Sequence, residues 1–300
     1  AFPHNPFQVP VVVDTTGDVS QLAAGLLQGQ IRATTDAVGI MRRARLEIDQ
    51  PSGVDWQRAA IERLTWQELT AQERLLCPPL FLVGDDEILA GRGLAQIAWL
   101  LSSKLPIKIL VMAELDFGLT AGVTTEVPLA PVNNPRANIG LLAVAQQAAY
   151  VAQCSISAPD HLRDSIRAAI VFAGPALIHI HAPSPERHGF ARDHTVQQAD
   201  LAVASRTFPL FRYHPEGEGV FGSRLDLAGN PELLQAWQAA GEDKLLTPAD
   251  WAISEARFEH CFRVIDGQDP TPTALENWLE LDRNGRRNKT PYLMVVEGEE

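Results

Sequence analysis

Phe81-Leu82-Val83-Gly84-Asp85-Asp86-Glu87 is a short apolar run that enters a Gly-Asp turn, with helical spacing directly behind it. The run Leu80 to Val83 has the length of a buried parallel strand. Behind it, Ile88 to Leu101 reads as one helix with Leu94, Ile97, Ala98 and Leu101 on a single face. A strand passing through a tight turn into a helix is half of a crossover unit. The carboxyl ends of parallel strands open onto a crevice, and the following helix points free N–H groups toward any anion there. Gly84, Asp85 and Asp86 are therefore candidate ligand-binding residues. The plainer reading is that Asp85 or Asp86 caps the helix.

The same rhythm continues along the chain. Strands are expected at Ile107 to Met112, Tyr150 to Ile156, Ala176 to His181 and Leu210 to Tyr213, with Leu162, Ile166, Ala169 and Ile170 striping an intervening helix. Upstream, residues 1 to 17 read as a Pro-rich extended arm ending in Val11 to Val13. A helix begins at Asp18, with Leu22, Leu26, Leu27 and Ile31 on its apolar side. A polar helical stretch over 54 to 76 is closed by Cys77-Pro78-Pro79, since proline cannot continue a helix. After residue 215, Asn230-Pro231 and Thr247-Pro248 each place a capping side chain before a proline at the first helical position. That tail reads as helical, with a last strand at Tyr292 to Val296. These observations predict an α/β parallel-sheet, three-layer domain: an arm with packed helices over 1–77, the core over 78–215, and a helical extension over 216–300.

Composition narrows the partners. With 300 residues and 46% hydrophobic content, the chain can bury an ample core. Its 25 basic and 37 acidic side chains give a net charge of −12, which repels nucleic acid and anionic membrane surfaces. No apolar run reaches the roughly 18 residues of a membrane span. Cys77, Cys154 and Cys261 are far apart and form no C-x-x-C pair, so buried free thiols and a cytoplasmic location are expected. The start without Met and the acidic end at Glu297, Glu299 and Glu300 suggest a fragment or a processed subunit. There is no G-x-S-x-G elbow, P-loop or G-x-G-x-x-G. Gly91 and Gly93 sit inside a helical pattern, where close packing explains them.

Residues 78 to 237 resemble the thiamine-diphosphate domain of pyruvate:ferredoxin (flavodoxin) oxidoreductases. Gly84-Asp85-Asp86 looks like that family's GDG turn, and Ile109-Leu110-Val111-Met112 leading to Leu119-Thr120-Ala121-Gly122 looks like its strand leading to Asn-Thr-Gly-Gly. Ala137-Asn138-Ile139-Gly140-Leu141 and Tyr150-Val151-Ala152 follow in order. Gly174-Pro175-Ala176-Leu177-Ile178, then Ala182-Pro183 and His188-Gly189, follow the pattern GPSLI, proline-cysteine and HG, with Ser184 at the cysteine position. Leu201-Ala202-Val203 and Pro209-Leu210-Phe211-Arg212-Tyr213 complete the series. The resemblance implies the thiamine-diphosphate fold, oxidative decarboxylation of a 2-oxoacid such as pyruvate, and partner domains or subunits, or a homodimer. It implies thiamine diphosphate and Mg²⁺ as cofactors, with Asp85 on the metal and Gly84, Asp86, Thr120 and Gly122 around the diphosphate.

The departures bear on activity. The family's metal-binding Asn position holds Leu119, which offers no lone pair to an ion that demands near-octahedral oxygens. The last glycine of the turn is Asp86. Facing inward, it would repel a diphosphate by roughly 4 kcal/mol at an effective dielectric of 20. Asp116 or Glu114 is a candidate replacement oxygen. The segment Gly17-Asp18-Val19-Ser20 lacks the family's cluster-binding cysteines, so no iron–sulfur cluster is expected. The cofactor-activating glutamate is implied to lie in another domain, leaving the catalytic residues unassigned and this chain inactive by itself. The competing expectation is a non-catalytic binding or scaffold domain that kept the fold and lost the cofactor. His179 and His181 share one strand face, as two metal ligands would, but plain burial is the stronger reading, since the corresponding strand of the resembled family carries apolar and aromatic residues without metal. His188, His194, Asp193, Arg187 and Arg192 read as a solvated loop by default, although its position after a strand end leaves it able to border a ligand cleft.

Overall fold

All the apolar runs read as core strands enter one sheet. The computed structural model describes residues 9–16, 19–49, 61–115, 138–232, 246–266 and 268–293. In chain order its elements begin with β1 (Val11–Val13), α1 (Val19–Asp49), α2 (Ala71–Arg74), β2 (Leu80–Asp85), α3 (Asp86–Leu89), α4 (Leu94–Ser102) and β3 (Ile107–Ala113). There follow α5 (Ile139–Ala145), β4 (Tyr150–Ser155), α6 (Pro159–Val171), β5 (Ala176–His181), α7 (Pro185–His188), α8 (Thr195–Ala204), β6 (Phe211–Tyr213) and β7 (Leu225–Asp226). The tail holds α9 (Pro248–Ile253), β8 (Thr271–Ala274), α10 (Leu275–Glu280) and β9 (Lys289–Tyr292).

The sheet order is β1-β2-β3-β5-β4-β6-β7. Its first five strands run parallel, and β6 and β7 add antiparallel pairs at one edge. Strands β2 to β5 begin and end within a residue or two of their expected positions. The arm's Val11–Val13 pairs with Phe81–Val83, so it is an edge strand of the sheet.

Period-two alternation sends side chains to two cores. On one face Leu80, Leu82, Ile107, Ile109, Val111, Val151 and Leu177 pack against Ala23 and Leu27 of α1, Ile97, Leu100 and Leu101 of α4, and Ile139 and Ala143 of α5. On the other, Tyr150, Ala152, Cys154, Ala176, Ile178 and Ile180 pack under Ala169 of α6. Each fully buried aliphatic side chain contributes about 1.5–3 kcal/mol of transfer free energy, which is why the strands read as nearly continuous apolar runs.

Three expected elements come out differently, each for a local reason. The helix expected over 88–101 is split into α3 and α4. A Cβ on Gly91 would lie 2.3 Å from the Glu87 carbonyl oxygen, so the chain turns back there more tightly than any other residue permits. The stretch 54–76 is broken within its described part into a 3-10 turn at Trp66–Glu68 and the separate α2. Glu68 accepts from the Thr65 backbone at 2.6 Å and Glu73 from the Thr70 backbone at 2.7 Å, two capping boxes that restart the helix. The tail carries the parallel pair β8–β9 as well as short helices, and the last strand spans Lys289–Tyr292 rather than starting at Tyr292. Met294 to Val296 lie outside the described residues.

Lys108 is buried on β3 between Ile107 and Ile109. Its Nζ donates to the carbonyls of Phe172 at 2.6 Å and Gly174 at 2.7 Å, tying the α6–β5 connection to the sheet. Burial pulls its pKa down to about 7. Lys108→Ala should destabilise the fold by about 3 kcal/mol, because it leaves a void facing two unsatisfied carbonyls; urea unfolding would measure the loss.

Candidate functional site

The carboxyl edge of the parallel strands gathers the residues singled out from sequence that the structure describes. Asp14 follows β1, its backbone N–H bonded to the Val83 carbonyl at 2.8 Å and its Oδ1 accepting from Thr16 N at 3.0 Å. Beside it β2 ends in Gly84 and Asp85. Asp85 has extended backbone and its Oδ1 accepts from Ile88 N at 2.7 Å, making it the N-cap of α3. Asp86 is the first residue of that four-residue helix, which is too short to build a useful dipole. A Cβ on Gly84 would come within 2.9 Å of Leu89 Cγ and 3.1 Å of the Asp14 carbonyl oxygen. Glycine is needed here to let β1 and α3 close on β2. Thr120 and Gly122, with Leu119 and Asp116, lie outside the described residues.

For Mg²⁺ and thiamine diphosphate, the described residues do not assemble a fit. Asp85 spends one carboxylate oxygen on its cap, and the space a glycine could open to a phosphate is filled by Leu89 and Asp14. Among the described residues, no group of three or more His, Cys, Asp or Glu side chains could hold a metal ion. Glu114, a candidate replacement ligand, is 2.7 Å from Arg187 and salt-bridged to it.

At the end of β5 both histidines turn inward. The Nδ1 of His179 pairs with Gln153 Oε1 at 3.2 Å, while Gln153 Nε2 donates to the Pro209 carbonyl at 2.7 Å. The Nδ1 of His181 donates to the Ala113 carbonyl at 3.0 Å. The Phe208 ring packs against both imidazoles, at centroid distances of 5.4 and 4.9 Å. Desolvation holds each pKa down at about 4, so both rings are neutral.

Glu255 and Arg257, which sequence reasoning missed, form a buried ion pair at this edge. Arg257 Nε donates to Glu255 Oε2 at 2.5 Å with both side chains fully shielded, and Arg257 Nη1 donates to the Leu115 carbonyl at 2.9 Å. Gln198 of α8 donates to Glu255 Oε1 at 2.8 Å, and Ser254 donates to Gln198 Oε1 at 2.9 Å. Trp251 and Phe258 flank the pair and pack with Ala113 and Ala202. Burial pushes the Glu255 carboxyl up, while Arg257 beside it pulls the other way. The usable signal was two opposite charges, two positions apart, between two aromatic residues. The expected solvated loop after β5 is solvated only in part: His188 is fully buried, 3.8 Å from Glu255, whereas Asp193 and His194 are exposed.

Two outcomes follow. Arg257→Met should cost about 3–5 kcal/mol in urea unfolding, because it leaves the Glu255 carboxylate buried without its counter-ion; changing Glu255→Leu as well should recover much of the loss. His179 and His181 have folded pKa values depressed below the ordinary 6.5. Between pH 6.5 and 4 the unfolded chain therefore binds more protons than the folded one. Their contribution is fully present above pH 6.5 and is lost as pH falls toward 4, at a limiting slope of about 1.4 kcal/mol per pH unit for each ring. His179→Gln with His181→Gln should flatten that part of a stability-against-pH curve.

Comparison with known proteins places these features in context. No protein-family model matches the chain. It is 35% identical over 79 residues to pyruvate synthase subunit PorB of Methanothermobacter marburgensis, covering 26% of this chain and 27% of that protein. It is 26% identical over 255 residues to pyruvate-flavodoxin oxidoreductase of Rhodospirillum rubrum, covering 81% of this chain and 19% of that one. PorB of Methanosarcina barkeri is 26% identical over 150 residues, covering 49% and 45%. Among solved structures, the 2-oxoglutarate:ferredoxin oxidoreductase of Magnetococcus marinus, with 2-oxoglutarate, coenzyme A and succinyl-CoA bound, aligns at a TM-score of 0.34 and 20% identity over 41% of this chain and 45% of that chain. The chain spans between about a fifth and just under half of the length of these relatives. At low identity, it is similar to parts of pyruvate synthase subunits and of a pyruvate-flavodoxin oxidoreductase.

Proposed function

We propose that this chain is the thiamine-diphosphate-type α/β module of a 2-oxoacid:ferredoxin oxidoreductase-like assembly, working against other domains or subunits rather than alone. The observation that carries the reading is the Gly84-Asp85 turn at the carboxyl end of β2, flanked by the ends of β1 and β3 in a five-stranded parallel array. Similarity to proteins of which this chain spans only a part supports the need for partners. The three cysteines are free thiols, which suits a reducing cytoplasm. No helix among the described residues is long and apolar enough to cross a membrane.

The reading has two forms. In one, the module takes part in oxidative decarboxylation of a 2-oxoacid. Gly84, Asp85, Asp86, Thr120 and Gly122 would then surround thiamine diphosphate and Mg²⁺, with other groups completing the metal's oxygen shell. In the other, the module is a scaffold or binding domain without cofactor. The Asp85 cap, the filled space at Gly84 and the apolar Leu119 favour the second form.

A thermal-unfolding titration of the purified chain with thiamine diphosphate, Mg²⁺ and both together separates them. The second form predicts no shift at millimolar ligand. A shift that needs both components would establish the first, since ligand at 100 times its dissociation constant stabilises by about 2.7 kcal/mol.

A further inference from the structure

Three charged side chains meet where loops leave three neighbouring strands. Glu87 lies in α3 behind β2, Glu114 directly follows β3, and Arg187 lies in α7 behind β5. In the sheet these strands stand side by side as β2-β3-β5. Arg187 Nη1 is 2.7 Å from Glu114 Oε2, and its Nη2 is 3.8 Å from Glu87 Oε2. One guanidinium on α7 thus joins α3, behind β2, to the residue that follows β3. Arg257 reaches the same stretch from the far side of the chain by donating to the Leu115 carbonyl at 2.9 Å. Residues 114 and 115 are therefore held by two arginines, and Leu115 is held with a left-handed φ of 54°.

We infer that Arg187 is a built-in cation of this strand-end crevice, its guanidinium holding together Glu87 of α3 and Glu114 after β3. The inference rests on the cofactor-free form of the proposed function. Its basis is the donor set. A hard divalent ion needs several oxygen ligands held around one point. Of the described carboxylates at these strand ends, Glu114 and Glu87 face the guanidinium, Asp85 commits an oxygen to its cap, and Asp86 is not free of partners. Arginine suits the bridging role because its planar fork carries a permanent charge and can reach two carboxylates at once, without octahedral geometry. A divalent ion arriving there would meet an adjacent positive charge and carboxylates already engaged.

The group is partly exposed, with Arg187 at 42%, Glu114 at 25% and Glu87 at 57%, so solvent weakens the ion pairs themselves. The informative quantity is metal sensitivity. Melting temperatures would be measured for the wild-type chain, for Arg187→Gln, and for the triple change Arg187→Gln, Glu87→Gln, Glu114→Gln. Each would be run in millimolar MgCl₂ or CaCl₂ and in NaCl of matched ionic strength. The wild type should not respond to either ion. Arg187→Gln should melt lower and be raised by a few degrees by Mg²⁺ or Ca²⁺, because removing the guanidinium leaves acidic groups for the ion to bridge. The triple variant, neutral at all three positions, should fold and be indifferent to both ions.

If Arg187→Gln ignores both ions, or the triple variant responds as strongly as the single one, Arg187 does not serve as the internal cation. A wild-type shift that requires thiamine diphosphate together with Mg²⁺ overturns the cofactor-free form on which the inference stands. A silent wild type beside a silent Arg187→Gln overturns only the role of Arg187.

Discussion

Parallel hydrogen bonding among β2, β3, β5 and β4 is the constraint on which the other elements depend. Leu80 pairs with Ile107, Lys108 with Ala176 and Tyr150 with Ala176, so the four strands run in step from a common starting edge. Parallel neighbours cannot be joined by hairpins, so every connection must cross over a face and bring helical material with it. The two apolar cores follow from that requirement. So does the alignment of the strand ends, which puts Gly84, Asp85, Glu114, His181 and the short helix carrying Arg187 along one edge.

Charge at that edge is handled from within. The Glu255–Arg257 pair is enclosed by Trp251, Phe258, Gln198 and the end of β3, a place where water cannot compensate a lone ion. Its hydrogen bond to Leu115 fixes the chain just where β3 gives way to its loop. Arg187 does comparable work at the solvent-facing side with Glu114 and Glu87. The tail segment around residues 247–262 is consequently a part of the strand-end architecture, joined to it by buried charge as well as by aromatic packing. The histidines of β5 sit beneath Phe208 in the same region, with fixed Nδ1 partners and neutral rings.

Much of this could be read from residue order. Ala176 to His181 is a strand with those bounds, whereas α5, capped where Asn138 accepts from Leu141 N at 3.0 Å, is not among the expected elements. Gly140 brings α5 down on β4, where an added Cβ would lie 3.2 Å from Gln153 Oε1. What was harder to see are effects that depend on a distant partner. Gly84 invites a phosphate-binding reading until Leu89 and the Asp14 carbonyl are found in the space its missing side chain leaves. His188 looks like a loop residue until the segment around Glu255 covers it.

Alternating apolar runs, capping residues and the Gly-Asp turn determined by themselves that this chain forms crossover units around a parallel sheet, because strand period, helix period and turn chemistry are local properties. They also placed Asp85 at a strand end and named helix capping as one of its two readings. Only the tertiary structure settled what Asp85 Oδ1 bonds to, how Glu114 and Glu87 come to share Arg187, and that Glu255 and Arg257 are buried together. Those outcomes turn on distances between residues as much as 142 positions apart in the chain, as Leu115 and Arg257 are, and on the exclusion of water from between them. Neither quantity exists until the sheet has closed and its helices have packed.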